Sequence, residues 1–226
     1  TGQVYALGTN KFRHFSDHEQ SKEFLTEQQI PFHDTKDKIE TIETYKRCTV
    51  AVTQKGKVYA VGDKLKKMLK IKNDRFGFYQ LPLEDPVEEE DKDNDATKDT
   101  QQVKTDDHLV AQNVWISKCK AQNNYVIYCL FKNKQNDELE LYSIGRNQGS
   151  GLLGLGENVQ EALSFKKISF ETKITSVEGV DIRCGLSHTI IGLNHYEQIY
   201  VLGCYDKSSQ THEEINFKPK PLKLRE

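Results

Sequence analysis

Four groups of residues in this sequence have types and spacings that could do chemistry. The first is the run Gly149-Ser150-Gly151-Leu152-Leu153-Gly154-Leu155-Gly156, whose backbone amides could cradle phosphate. A phosphate loop also needs a Lys-Ser/Thr pair and a helix starting behind it, and the sequence offers neither. The run reads instead as a tight inter-strand turn, its glycines supplying positive φ. The second group is His188, which titrates near neutral pH and could act as a base. It sits inside a repeated pattern whose other copies lack it, so a structural hydrogen bond is the expected role.

The third group is His14, His18 and His33 with Asp17 and Asp34. His14 and His18 have the i, i+4 spacing of a helical metal site, but the region is loop-like, and chance surface histidines are the expectation. The fourth is the set of cysteines: Cys48, Cys119, Cys129, Cys184 and Cys204. They are odd in number and far apart, without the close pairs of a zinc ribbon or a dithiol site. Most stand in apolar company, which suits reduced, buried thiols in an intracellular protein. No catalytic residue, metal or cofactor is expected.

What, then, must these residues belong to? At 226 residues and 26.0 kDa the chain can bury a substantial core. It is 36% hydrophobic and 29% charged, with a net charge of −2, which argues against nucleic acid or an anionic membrane as partner. No apolar stretch approaches the roughly 18 residues of a membrane span, so membrane insertion is not expected. No charged-then-apolar leader is present, and the chain opens within what reads as a strand. A longer protein is therefore expected around it.

One short pattern recurs: an aliphatic, Tyr, one residue, an aliphatic, then Gly. It appears as Val4-Tyr5-Ala6-Leu7-Gly8, Val58-Tyr59-Ala60-Val61-Gly62, Leu141-Tyr142-Ser143-Ile144-Gly145 and Ile199-Tyr200-Val201-Leu202-Gly203. The glycines are 54, 83 and 58 positions apart, and removing one inserted charged run brings the middle interval close to the others. That period is on the scale of solenoids and propellers. Upstream of each later copy lies another β-branched or aromatic run: 42–53, 125–131 with Val114-Trp115-Ile116 before it, and 182–193. Turns are expected at Lys55-Gly56, at 132–137 and at Asn194-His195. Helical periodicity is confined to 64–70 and 20–28. Strands this short bury a face only by stacking, so an all-β radial or solenoid array follows.

The best-preserved copy resembles the repeat of the regulator-of-chromosome-condensation family, a seven-bladed propeller. The matching residues are Leu141-Tyr142-Ser143-Ile144-Gly145-Arg146-Asn147, then Gly151, Gly154 and Gly156. A strand at Ile174-Thr175-Ser176-Val177 follows, then the hairpin Cys184-Gly185-Leu186-Ser187-His188-Thr189. The family's Trp-Gly is replaced by Leu-Gly, Val-Gly or Ile-Gly. The hairpin His gives way to Cys48 in one copy and to Asn123 or Asn124 in another. After Gly62 the glycine-rich turn is replaced by a basic stretch holding Lys64, Lys66, Lys67 and Lys70. Gly8, Gly62, Gly145, Asn147, Gly151, Gly154, Gly156, Gly185, His188 and Gly203 are thus expected as structural repeat positions. A partial all-β propeller is expected, with about three to four of seven blades visible.

The acidic run beginning at Glu84 interrupts the period and includes Glu88, Glu89, Glu90 and Asp91. Lacking aromatics, it reads as a flexible inserted loop. This divides the chain into blades over 1–83, the insertion over 84–108, and blades over 109–226. Without the insertion the rest carries a small positive balance. The acidic run and the lysines of 64–70 are candidate partner contacts, or pair with each other. The resemblance implies a non-enzymatic protein–protein interaction scaffold within a larger assembly. Alternatives it also implies are a guanine-nucleotide exchange factor for a small GTPase, or a substrate-binding segment of a ubiquitin ligase or kinase. A light-sensing role needs clustered tryptophans, and Trp115 is the only one. The expected compartment is cytoplasmic or cytoskeletal, cilia included, with the nucleus as alternative.

Overall fold

The computed structural model describes residues 2–9, 23–30, 32, 34, 36–45, 48–71, 77–83, 108–118, 125–147, 149–185, 187–204 and 215–222. A two-stranded sheet comes first, β1 (Tyr5–Thr9) and β2 (Glu23–Gln29). The second sheet is β3 (Ile39–Tyr45), β4 (Cys48–Thr53) and β5 (Val58–Val61), then helix α1 (Asp63–Met68) and β6 (Tyr79–Gln80). The third is β7 (Leu109–Lys118), β8 (Tyr125–Asn133), β9 (Glu138–Arg146) and β10 (Glu161–Lys167). The fourth is β11 (Asp181–Cys184), β12 (His188–Leu193), β13 (Gln198–Cys204) and β14 (Ile215–Pro221). Every sheet is an antiparallel meander in chain order. We call the four sheets blades 1 to 4.

First strands of consecutive blades touch, β3 against β7 and β7 against β11, which is the radial arrangement of a propeller. The middle strands are sandwiched. On β8, Tyr125, Ile127, Cys129 and Phe131 face the core shared with blade 2. Val126, Tyr128 and Leu130, the intervening residues, face the core shared with blade 4. On β4, Val50 and Val52 face blade 3, and Ala51 faces the core with blade 1. Both faces of these strands are dry, so the sequence reads as unbroken apolar runs rather than as apolar–polar alternation. Complete burial of Tyr125, Tyr128 and Phe131 contributes about 2–3 kcal/mol each.

The repeated glycine marks a shared irregularity. Ser143 and Gly145 of β9 face Lys166 and Ala162, so two steps on one strand span four on the other. The same count holds for Val201 and Gly203 against Lys220 and Asn216, and for Ala6 and Gly8 against Gln28 and Phe24. In blades 3 and 4 the extra residues lie on the fourth strand, and the third-strand glycine comes close to the entry of the second. A Cβ at Gly145 would lie 2.1 Å from the Tyr125 carbonyl oxygen, and one at Gly203 would lie 2.4 Å from that of Ser187. Both glycines have positive φ, 134° and 82°. No side chain fits that approach.

Three local expectations change. The stretch 20–28, expected as helical, contributes strand β2, and its first residues lie outside the described ones. Two turns of helix would be too short to hold themselves, whereas β1 supplies a ladder partner. The runs 42–53 and 182–193 are each two strands; in the latter the Gly185 amide donates to the His188 carbonyl at 2.8 Å and closes the hairpin. Residues 174–177 form only a bridge between Ile174 and Leu139. Side chains there satisfy the backbone instead: Asn194 accepts from the Thr175 amide at 2.9 Å, and Ser176 accepts from the Gly179 amide at 2.9 Å.

A candidate binding groove between two blades

The second-to-third strand turns of the blades emerge at one end of the stack. In blade 2 this turn is Lys55-Gly56, held by Asp37, whose Oδ1 accepts the Lys38 amide at 2.8 Å and the Lys55 amide at 3.2 Å. Gly56 has φ 73° and its carbonyl accepts the Ala111 amide at 2.9 Å. A Cβ on Gly56 would meet Val110 at 2.2 Å, so the glycine lets β7 dock on the neighbouring turn. In blade 3 the turn runs through Lys134, whose amide donates to the His108 carbonyl at 2.8 Å.

Between these two turns lies a groove of about 250 Å³. Its floor is apolar: Val58, Leu81, Leu83, Leu109, Val110 and Phe131. Phe131 is locked edge-on between Tyr142 and Phe165, with ring centroids at 5.2 and 5.3 Å. The tail after β6 is tied down at both sides, Leu81 donating to Val58 at 2.9 Å and Pro82 accepting from Phe165 at 3.0 Å. Lys55, Lys57, Lys134 and Gln80 complete the groove's lining with Gly56. Lys57 is 3.5 Å from Asp34, and no ion pair among the described residues holds Lys55 or Lys134. Among the described residues no carboxylate lines the groove. An aliphatic side chain can enter it while carboxylates meet the rim.

The anticipated site residues that are described do not line this groove. Gly62, Gly151, Gly154 and Gly156 have positive φ like Gly145 and Gly203, and Gly8 lies in β1 opposite Phe24. Asn147 is buried and organises the glycine turn, its Oδ1 accepting the Gly149 amide at 3.1 Å and its carbonyl the Ser150 amide at 3.0 Å. His188 is half-buried at the start of β12, opposite Gly203. Lys64, Lys66 and Lys67 ride on α1, with Lys70 after it, 3.7 Å from Glu161. That helix follows β5 whereas Lys55 and Lys57 precede it, so the helix and the groove lie at opposite ends of this strand. His14, Asp17, His18 and His33 lie outside the described residues, as do Glu88, Glu89, Glu90 and Asp91. Asp34 serves Lys57. Among the described residues no three His, Cys, Asp or Glu are grouped to hold a metal ion.

Burial favours the protonated thiol at Cys48, Cys129 and Cys184. Cys48 and Cys129 are pushed up by desolvation. Cys184 is pushed up to about 12, chiefly by burial, with hydrogen bonds from Thr189 and Ser117 working the other way. The groove escaped sequence reasoning because its walls come from four separated segments. One signal was present: Lys-Gly-Lys at 55–57 and Lys134 occupy the same turn in two copies of the repeat.

No family model matches the sequence, and no curated protein matches it. Solved structures do match. Human WBSCR16 superposes with a TM-score of 0.62 at 17% identity, over 99% of this chain and 49% of that one. Yeast RCC1 (Prp20), solved bound to Kap60, gives 0.59 at 18% identity, over 98% of this chain and 46% of that one. Prp20p from Saccharomyces cerevisiae, described with its binding properties to Gsp1p and histones, gives 0.58 at 16%, over 98% and 47%. The chain spans about half the length of the structures it matches. At these identities the likeness shows the fold: an RCC1-like β-propeller, represented here by three four-stranded blades and a two-stranded one. Among the described residues no helix is long and apolar enough to cross a membrane.

Proposed function

We propose that this propeller segment is a non-enzymatic protein–protein interaction scaffold that works inside a larger assembly. The observation that carries the reading is the inter-blade groove: walls tied down by backbone hydrogen bonds, apolar lining residues, and Lys55 and Lys134, which hold no ion pair among the described residues, placed where hairpin turns leave the stack. Such a site suits recognition and contains no nucleophile–base pair. Residues 1–83 and 109–226 are two groups of blades in this reading, and 84–108 is an acidic insertion between them. The insertion's Glu88–Asp91 and the α1 lysines are secondary contact points. A photo-crosslinking residue at position 134 should give discrete protein adducts in cells, and one at position 167, on the outer strand β10, should give none. Identical smears from both positions would sink the scaffold reading.

A second reading, guanine-nucleotide exchange on a small GTPase, is favoured by one observation: a similar structure, Prp20p, is described with its binding to Gsp1p. A nucleotide-release assay on a Ran-like GTPase separates the two. A scaffold leaves the nucleotide off-rate unchanged, whereas an exchange factor raises it.

A further inference from the structure

We infer that the groove between blades 2 and 3 is a docking site for an acidic, extended peptide segment of a partner protein, one that inserts a single aliphatic side chain between flanking carboxylates. The inference rests on the scaffold reading and names the partner's chemistry. Size is the first argument. About 250 Å³ is below the roughly 300–1,000 Å³ that encloses a drug-sized ligand or cofactor. It suits one side chain, with the peptide backbone lying across the rim.

Charge is the second argument. Lys55, Lys57 and Lys134 line the groove, and three carboxylates of the described residues near its turns have partners of their own. Asp34 faces Lys57, Asp37 holds the turn amides, and Asp137 is 2.7 Å from Lys132. A peptide carboxylate therefore meets lysines of which Lys55 and Lys134 hold no ion pair among the described residues. The third argument discriminates among anions. Single-stranded nucleic acid needs aromatic faces on which bases stack. The one aromatic in this floor is Phe131, already packed between Tyr142 and Phe165. The other floor residues are aliphatic and fit an aliphatic anchor.

The test uses the whole chain and three pentapeptides: Asp-Glu-Leu-Asp-Glu, Asn-Gln-Leu-Asn-Gln and Asp-Glu-Gly-Asp-Glu. Titration is followed by NMR of the Leu and Val methyl groups. The acidic Leu peptide should saturate, shifting Leu81 and Val110, with at least tenfold higher affinity than either control. Raising salt from 50 to 500 mM should weaken it severalfold. The double variant Lys55→Gln/Lys134→Gln should lose tenfold or more while keeping its thermal midpoint. Lys218→Gln/Lys220→Gln, on the outer strand β14 of blade 4, should bind like the parent.

Equal binding by the Leu and Gly peptides, or equal loss in both lysine double variants, would overturn the inference and leave only diffuse charge attraction. Binding seen only after deletion of residues 84–107 would also overturn it, identifying the chain's own acidic run as the occupant. Peptide failure alongside discrete crosslinks at position 134 would mean a scaffold for a different partner chemistry. Failure of both experiments would remove the scaffold reading as well.

Discussion

Blades 2 and 3 connect their third strand to their fourth in different ways, yet each connection seals a seam against the next blade. In blade 3 the link is the glycine turn, which lays Leu152 and Leu153 into the core with blade 4. In blade 2 it includes α1, which lays Leu65 and Leu69 into the core with blade 3. All four leucines are completely buried. The demands on the backbone differ. The turn needs positive φ at several positions and close approach to its neighbour, a Cβ at Gly151 falling 2.7 Å from the Asn216 carbonyl oxygen. The six-residue helix carries three lysines beside its buried leucine, Lys64 and Lys66 half-buried and Lys67 exposed. The seam requires buried aliphatic volume in a fixed place, and either backbone can deliver it.

If that equivalence is right, Leu65→Ala and Leu152→Ala should each cost about 2–5 kcal/mol, measured by urea unfolding. A difference between them of more than about 2 kcal/mol would break the comparison. Next in size, Gly151→Ala should cost about 2–4 kcal/mol, combining left-handed strain with crowding against Asn216. Lys64→Ala on α1 should stay within about 0.5 kcal/mol. Similar costs at the two positions would show that the turn tolerates side chains as the helix does.

The seams also differ in their polar groups, and pH reads this. Cys184 lies at the seam of blades 3 and 4, near Ser117 and Thr189, with its folded pKa raised to about 12. Its neutral form contributes fully below the unfolded value of about 8.5, and the contribution falls as pH rises through that value toward 12. Unfolding free energy should therefore drop by roughly 1–2 kcal/mol between pH 8.5 and 10.5 through this group. In Cys184→Ala the drop should be smaller; an unchanged pH slope would remove Cys184 from the account. An effect of similar size concerns Tyr128, whose buried hydroxyl donates to the Leu152 carbonyl and lies 3.2 Å from Thr189 Oγ1. Tyr128→Phe should cost about 1–2 kcal/mol at this seam. No loss would mean that leucine packing alone closes it.

The third strands were the most readable part of the fold. Their Tyr-x-aliphatic-Gly ending is explained at Gly145 and Gly203, where the glycine must approach the entry to the second strand, a demand met locally. Second strands such as β4 and β8 announced themselves as long apolar runs, being covered on both faces. Outer strands did not: β14 is largely half-buried or exposed along Ile215–Pro221, so nothing forces its residues into a pattern. The strand expected at 174–177 failed for a related reason, because Asn194, 20 residues away in the chain, competes for its backbone.

The sequence by itself determined the all-β repeat, the positions where only glycine serves, and the burial of most cysteines. These follow from local sterics and from the amount of apolar surface each strand must hide. Tertiary structure alone decided that α1 substitutes for a glycine turn, since the substitution is visible only once both sets of leucines are seen in their seams. It alone decided the groove as well, by bringing Lys55 and Lys57 beside Lys134 and closing Leu81 and Val110 over Phe131. Segments so far apart in the chain carry no shared periodicity. Only the docking of β7 onto the Gly56 turn brings their side chains together.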